Sequence, residues 1–110
     1  MENRPGFSYI DSMERAAIIE RLRAIRLPLQ EEGVAHLALF GSRARQDHRP
    51  DSDLDLLLEV DPNSSFSILN LVGVEHLVQE ATGISANAFM RRSLDPAFRQ
   101  SIVADVVEVF

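Results

Sequence analysis

No cysteine occurs in the sequence, so disulfides and thiolate metal sites are excluded and a cytoplasmic location fits by default. No apolar run approaches the ~20 residues needed to span a membrane. The opening MENRPGFSYID lacks the basic-then-apolar order of a secretory signal. A basic surplus is missing too: 17 acidic residues face 11 basic ones, for a formal net charge of −6. Affinity for nucleic acid comes largely from neutralising phosphates, so this balance argues against binding bulk nucleic acid, and nothing argues for a membrane. A basic protein partner, a metal ion or a metal–nucleotide complex suits it better.

What is present is the composition of one soluble globular domain: 110 residues, 45% hydrophobic and 25% charged. Residues 1–10 read as a flexible lead-in broken by Pro5-Gly6, and residues 11–110 as the domain. Ser12 is placed to cap a helix carried by Ala17, Ile18, Leu22 and Ile25, with Pro28 bending or shortening its end. Glu31-Glu32-Gly33 then turns into a strand, Val34–Phe40, and residues 43–50 form a turn or loop. Leu54–Val60 is apolar almost without interruption after Asp55, as a strand buried on both faces would be. Residues 65–82 read as a helix closed by Gly83, and residues 84–90 as a third strand. Asp95 caps a further helix with Pro96 at its first position. Residues 106–110 form a short strand or tuck against the core. The order predicts an α/β (α+β) domain, a small mixed β-sheet with helices packed on it.

The chemistry concentrates in LFGSRARQDHRPDSDLDLLLEV, from Leu39 to Val60. Side chains of an extended strand alternate faces, so Asp53 and Asp55 point the same way while Leu54 points into the core. Two ionised carboxylates side by side repel, and burying both costs several kcal/mol per ion unless something compensates. A divalent cation resolves the conflict. Mg²⁺ takes oxygen ligands and is commonly held by one or two carboxylates plus substrate phosphates. Gly41 permits a tight turn and close approach of a ligand. Backbone N–H groups after it, with the Ser42 hydroxyl, can meet phosphate oxygens. Arg43 and Arg45 follow, and arginine matches phosphate geometry. One strand end would then bind phosphates while its neighbour holds the metal that bridges them, which is what nucleotidyl transfer requires.

Gly41-Ser42, ten residues, then Asp53-Leu54-Asp55 resembles the signature of the minimal nucleotidyltransferases, the smallest members of the DNA-polymerase-β-like superfamily. The surrounding FGSRAR and DSDLDLLLEV are similar to that family as well. The resemblance implies a polymerase-β-like nucleotidyltransferase fold, with Gly41, Ser42 and Arg45 contacting the nucleotide's phosphates. It implies Asp53 and Asp55 as the catalytic, metal-binding carboxylates, and Mg²⁺ with ATP as cofactor and nucleotide substrate. Many relatives have glycine where this chain has Gln46. The superfamily's third acidic residue, which completes the metal site and can accept the proton of the attacking hydroxyl, is replaced. Aligning Gly83 and Ser93-Leu94-Asp95-Pro96 with the family pattern puts Asn87 in its place. Asp95 is a structural cap, and nothing in the sequence puts Glu75 or Glu80 at the site.

Two functions follow from the resemblance. One is transfer of AMP from ATP to a hydroxyl of a protein partner, as the antitoxin that silences a small helical HEPN-domain ribonuclease. The other is a binding module, weakened at Asn87, that acts by partner or nucleotide binding without turnover. His36, His48 and His76 show no metal-ligand spacing. Tyr9, in the lead-in, is a remote candidate for self-modification. Phe89-Met90 and residues 106–110 read as core packing ahead of a partner surface.

Overall fold

The computed structural model describes residues 14–110; the lead-in, Tyr9 and the expected Ser12 cap lie outside them. Two seven-residue strands, β1 (Val34–Phe40) and β2 (Leu54–Val60), form the centre at the ranges the sequence predicts. Both carry apolar residues at successive positions because both faces of the sheet are covered. They pair antiparallel, with Phe40 opposite Asp55 and Ala38 opposite Leu57. A third strand, β3 (Ala86–Met90), runs parallel to β2, and the two-residue β4 (Val107–Glu108) pairs antiparallel with β1. The order β3-β2-β1-β4 is the expected small mixed sheet.

Five helices occur among the described residues: α1 (Arg15–Ala24), α2 (Arg26–Glu32), α3 (Ser42–Arg45), α4 (Ile68–Thr82) and α5 (Pro96–Ile102). The chain breaks at Ile25 and the helix resumes, with Pro28 inside the first turn of α2, where a missing N–H costs least. Glu31 and Glu32 are therefore helical, and the turn is confined to Gly33, whose φ of 112° ends α2 in the left-handed region. Helix α4 starts at Ile68 rather than 65, because Asn70 Oδ1 accepts the Ser67 N–H at 2.9 Å and fixes the start there. Gly83 and Asp95 cap as expected, Asp95 Oδ1 accepting the Ala97 N–H at 2.8 Å. No helix of the described residues is long and apolar enough to cross a membrane.

The parallel β2–β3 pair requires a crossover, supplied by α4. The main core lies between one sheet face (Leu37, Leu39, Leu54, Leu56, Leu58, Ala88) and Ile18, Leu22, Leu29, Val74 and Val78 of the helices. The other face carries a smaller core of Ala38, Phe40, Leu57 and Ile102. There Phe40, Phe89 and Phe98 form an aromatic cluster, with Phe40 and Phe89 edge to face at 5.5 Å. Such pairs add about 0.5–1.5 kcal/mol beyond area burial. Phe89 is partly buried and packs against this smaller core, the packing role expected of it. The C-terminal residues also tuck in: Val109 is buried and its N–H donates to Leu37 O at 2.8 Å. Glu75 of α4 accepts the Ala88 N–H at 2.8 Å, occupying a donor on the open edge of β3. The end where β1 stops and β2 begins is left open.

Candidate active site

At that open end the backbone leaves β1 through Gly41, at φ 79° and ψ −163°, a region essentially restricted to glycine. The Phe40–Asp55 register brings this turn against the second strand. A Cβ built on Gly41 would collide with Asp55 Oδ2, and Asp55 Cγ would lie 3.3 Å from it. Only a residue without a side chain lets the Gly-Ser turn approach the carboxylate so closely. Gly41→Ala is therefore expected to cost about 1–3 kcal/mol in backbone strain, before any cost of displacing Asp55. Thermal denaturation and nucleotide titration of the variant check both effects.

Ser42 opens α3, whose first-turn N–H groups have no intrahelical acceptor. The arginines behave differently from each other. Arg43 is 1% exposed, donating from Nε to Ser52 O at 2.9 Å and from Nη2 to Pro50 O at 3.2 Å. It braces from within the loop that presents Asp53. Arg45 is exposed, as phosphate contact requires, and pairs with Asp47 and Asp105, each at 3.0 Å. Those two hydrogen bonds raise its already high pKa. Its charge also reaches Asp55. Gln46 ends α3 at φ 66°, the left-handed conformation that glycine adopts without steric cost. The frequent glycine of relatives at this position has its physical reason there.

Asp53 and Asp55 stand on one sheet face, and the parallel register sets Asn87 directly beside Asp55. Asn87 Nδ2 donates to Asp53 Oδ2 at 3.1 Å. The alignment-based place of Asn87 is thus its place in space. Asp55 is half-buried, and burial raises its carboxyl above the ordinary range. The Asn87 hydrogen bond pulls it back, Asp53 pushes it further up, and Arg45 lowers it. A carboxyl with a raised folded pKa stabilises the fold while protonated. That contribution is full below the unfolded pKa and is lost as pH rises through the folded one. Asp55→Asn removes the loss. Without divalent cations the variant is expected to melt above wild type at pH 7, the gap closing as pH falls below the ordinary carboxylate range.

The donor set fits Mg²⁺ as far as it goes: two carboxylates on one face, open to solvent, next to a turn built for close approach. Among the described residues no group of three or more His, Cys, Asp or Glu gathers to hold a metal, so phosphates would have to supply further ligands. A cavity of about 190 Å³ opens beside Asp53, lined by Arg43, Asp51, Ser52, Ile84 and Ser85 among others. A larger one of about 530 Å³, bordered by Met90, Arg91, Arg92 and Arg99, lies at the opposite ends of β2 and β3. His36 is exposed beside a bulge in β1, and His48 is half-buried, its pKa lowered by burial and by Arg43. Glu75 is spent on the β3 edge.

Comparison with known proteins agrees with this geometry. The profile described as Nucleotidyltransferase domain matches residues 19–108. The chain is 30% identical over 89 residues to the protein adenylyltransferase MntA of Thermococcus cleftensis, covering 80% of this chain and 88% of that protein. A solved structure described as a candidate minimal nucleotidyltransferase superposes with a TM-score of 0.64 at 27% identity, over 81% of this chain and 93% of the other. The complex of a tri-AMPylated Shewanella oneidensis HEPN toxin with its MNT antitoxin gives 0.55 at 14% identity, over 96% of this chain and 72% of that one, a likeness of fold. With a family profile spanning most of its length and the Gly-Ser turn set against the aspartate pair, this chain belongs to the nucleotidyltransferase domain family.

Proposed function

We propose that the protein transfers AMP from ATP to a hydroxyl of a protein partner and acts as the antitoxin of a HEPN-type ribonuclease toxin. The observation that carries the reading is the contact of Gly41 with Asp55, which joins a phosphate-binding turn to a paired carboxylate within one strand end. In this reaction the acceptor oxygen forms a bond to the α-phosphorus and the bond to the β-phosphate's bridging oxygen breaks. Pyrophosphate leaves, and the hydroxyl proton passes to water or a base. Gly41 and Ser42 hold the outer phosphates, Arg45 turns from its carboxylate partners toward them, and Asp53 and Asp55 hold Mg²⁺. The metal, when bound, supplies neutralisation of phosphate charge. The AMPylated toxin seen with the MNT antitoxin, and the adenylyltransferase name of the relative, support the acceptor class and the partner. The cysteine-free composition and the need for ATP support a cytoplasmic setting.

A second reading, partner binding without turnover, is favoured by one observation. Asn87 turns a donor to the pair where a third carboxylate would bring charge and a base. ATP labelled at the α-phosphate, incubated with Mg²⁺, this protein and a HEPN-domain ribonuclease, separates the two. Label retained on the partner, and none when the label is on the γ-phosphate, is the expected result. A partner whose ribonuclease activity is silenced with no label attached would establish the second reading instead.

A further inference from the structure

We propose that Asn87 is the resting-state counter-group of the aspartate pair: its carboxamide donates Nδ2 toward the carboxylates where a cation would sit, and withdraws that donor when a cation binds. The inference rests on the reading of Asp53 and Asp55 as cation ligands. It deepens that reading by assigning the site a built-in occupant.

The placement is fixed by the sheet. The β2–β3 register sets Asp55 beside Asn87 and Leu57 beside Phe89, and Phe89 is held in the aromatic cluster with Phe40 and Phe98. The strand cannot slip without carrying an aromatic ring out of the core, so Asn87 stays at the pair. Its Nδ2 lies 3.1 Å from Asp53 Oδ2, and the register sets the residue beside Asp55. A primary amide nitrogen carries two N–H donors and no acceptor, so it can serve two carboxylates at once. Aspartate at this position would add a third negative charge to a site with no cation, and alanine would leave the pair without this donor.

The amide has another end. Rotation about χ2 exchanges Nδ2 for Oδ1, an oxygen that can ligate a hard cation, and this sp³–sp² torsion is broad and lightly restrained. The two orientations exclude each other, because a donor facing the pair repels a cation and an oxygen facing the pair repels the carboxylates. On this proposal, cation binding breaks the Asn87–Asp53 hydrogen bond. The metal-free site is kept intact at the expense of cation affinity.

The test uses the full chain, with Mg²⁺ alone and with Mg-ATP as the control for the site itself. In EDTA, Asn87→Ala is expected to lower the unfolding midpoint by about 4–8 °C, the shift that about one lost hydrogen bond's stability produces in a domain of this size. Asn87 is exposed, so the truncation opens no cavity. Millimolar Mg²⁺ should recover more of the midpoint in the variant than it adds to wild type. In ¹⁵N-labelled wild type, the side-chain amide signals that vanish in Asn87→Ala should move as Mg²⁺ is added, while those of exposed Asn63 stay in place. An Asn87→Ala midpoint equal to wild type in EDTA overturns the proposal, even where wild type binds Mg-ATP. Stationary Asn87 amide signals at saturating Mg²⁺ overturn it as well. A wild type that binds no Mg-ATP defeats instead the reading of the pair as cation ligands, and the displacement falls with it whatever the variant's midpoint.

Discussion

Asp53→Asn is expected to reduce AMP transfer by about 10²–10³-fold, the loss that follows from removing about 2.7–4 kcal/mol of transition-state charge stabilisation. Asp53 is exposed at the end of the loop braced by Arg43, immediately before β2, with no buried contact of its own to lose. The amide that replaces it can still hydrogen-bond to Asn87, so the fold should persist and its unfolding midpoint should stay close to wild type. What disappears is one of the two negative charges that would hold the metal. Rate measurements beside thermal denaturation separate the two effects: a collapse of both together would mean that Asp53 is structural, and an unchanged rate would remove it from the chemistry.

Asn87→Asp is the counterpart in the opposite direction. A positioned general base contributes about 10²–10⁴-fold, and an amide cannot supply one. Aspartate at this position, directly beside Asp55 in the parallel register, would restore both a base and a third negative ligand. Transfer is expected to rise by up to that range, with tighter Mg²⁺ dependence and a lower melting temperature in EDTA. Loss of transfer in the variant would show that the chain uses the amide as it stands. No change would mean that proton removal does not limit the reaction.

The parts of this architecture that were legible in the sequence are those with short-range signals. The bounds of β1 and β2 follow from apolar runs cut by Gly41 and Asp61, and the cap at Asp95-Pro96 follows from local backbone chemistry. The pairing of Asp53 with Asp55 follows from strand alternation alone. The position of Asn87 follows from the family pattern, and the β2–β3 register sets it beside Asp55.

What was hidden depends on contacts distant in the chain. Helix α3 has four residues, too few for any periodicity to show. Arg43 and Arg45 look alike in sequence, yet one is buried as a brace and the other is exposed. The difference arises because the loop carbonyls of Pro50 and Ser52 fold back over the first. The Arg45–Asp105 pair spans 60 residues and has no local signal. The direction of the Asn87 amide, donor toward the pair, depends on where both carboxylates finally stand.

The central claim is that the strand end formed by Gly41, Ser42, Asp53 and Asp55 is a metal–nucleotide site, and calorimetric titration of ATP tests it most directly. Wild type with Mg²⁺ should give saturable heat that is lost in EDTA and lost in Asp53→Asn. No heat from wild type, or the same heat from the variant and in EDTA, would contradict the account.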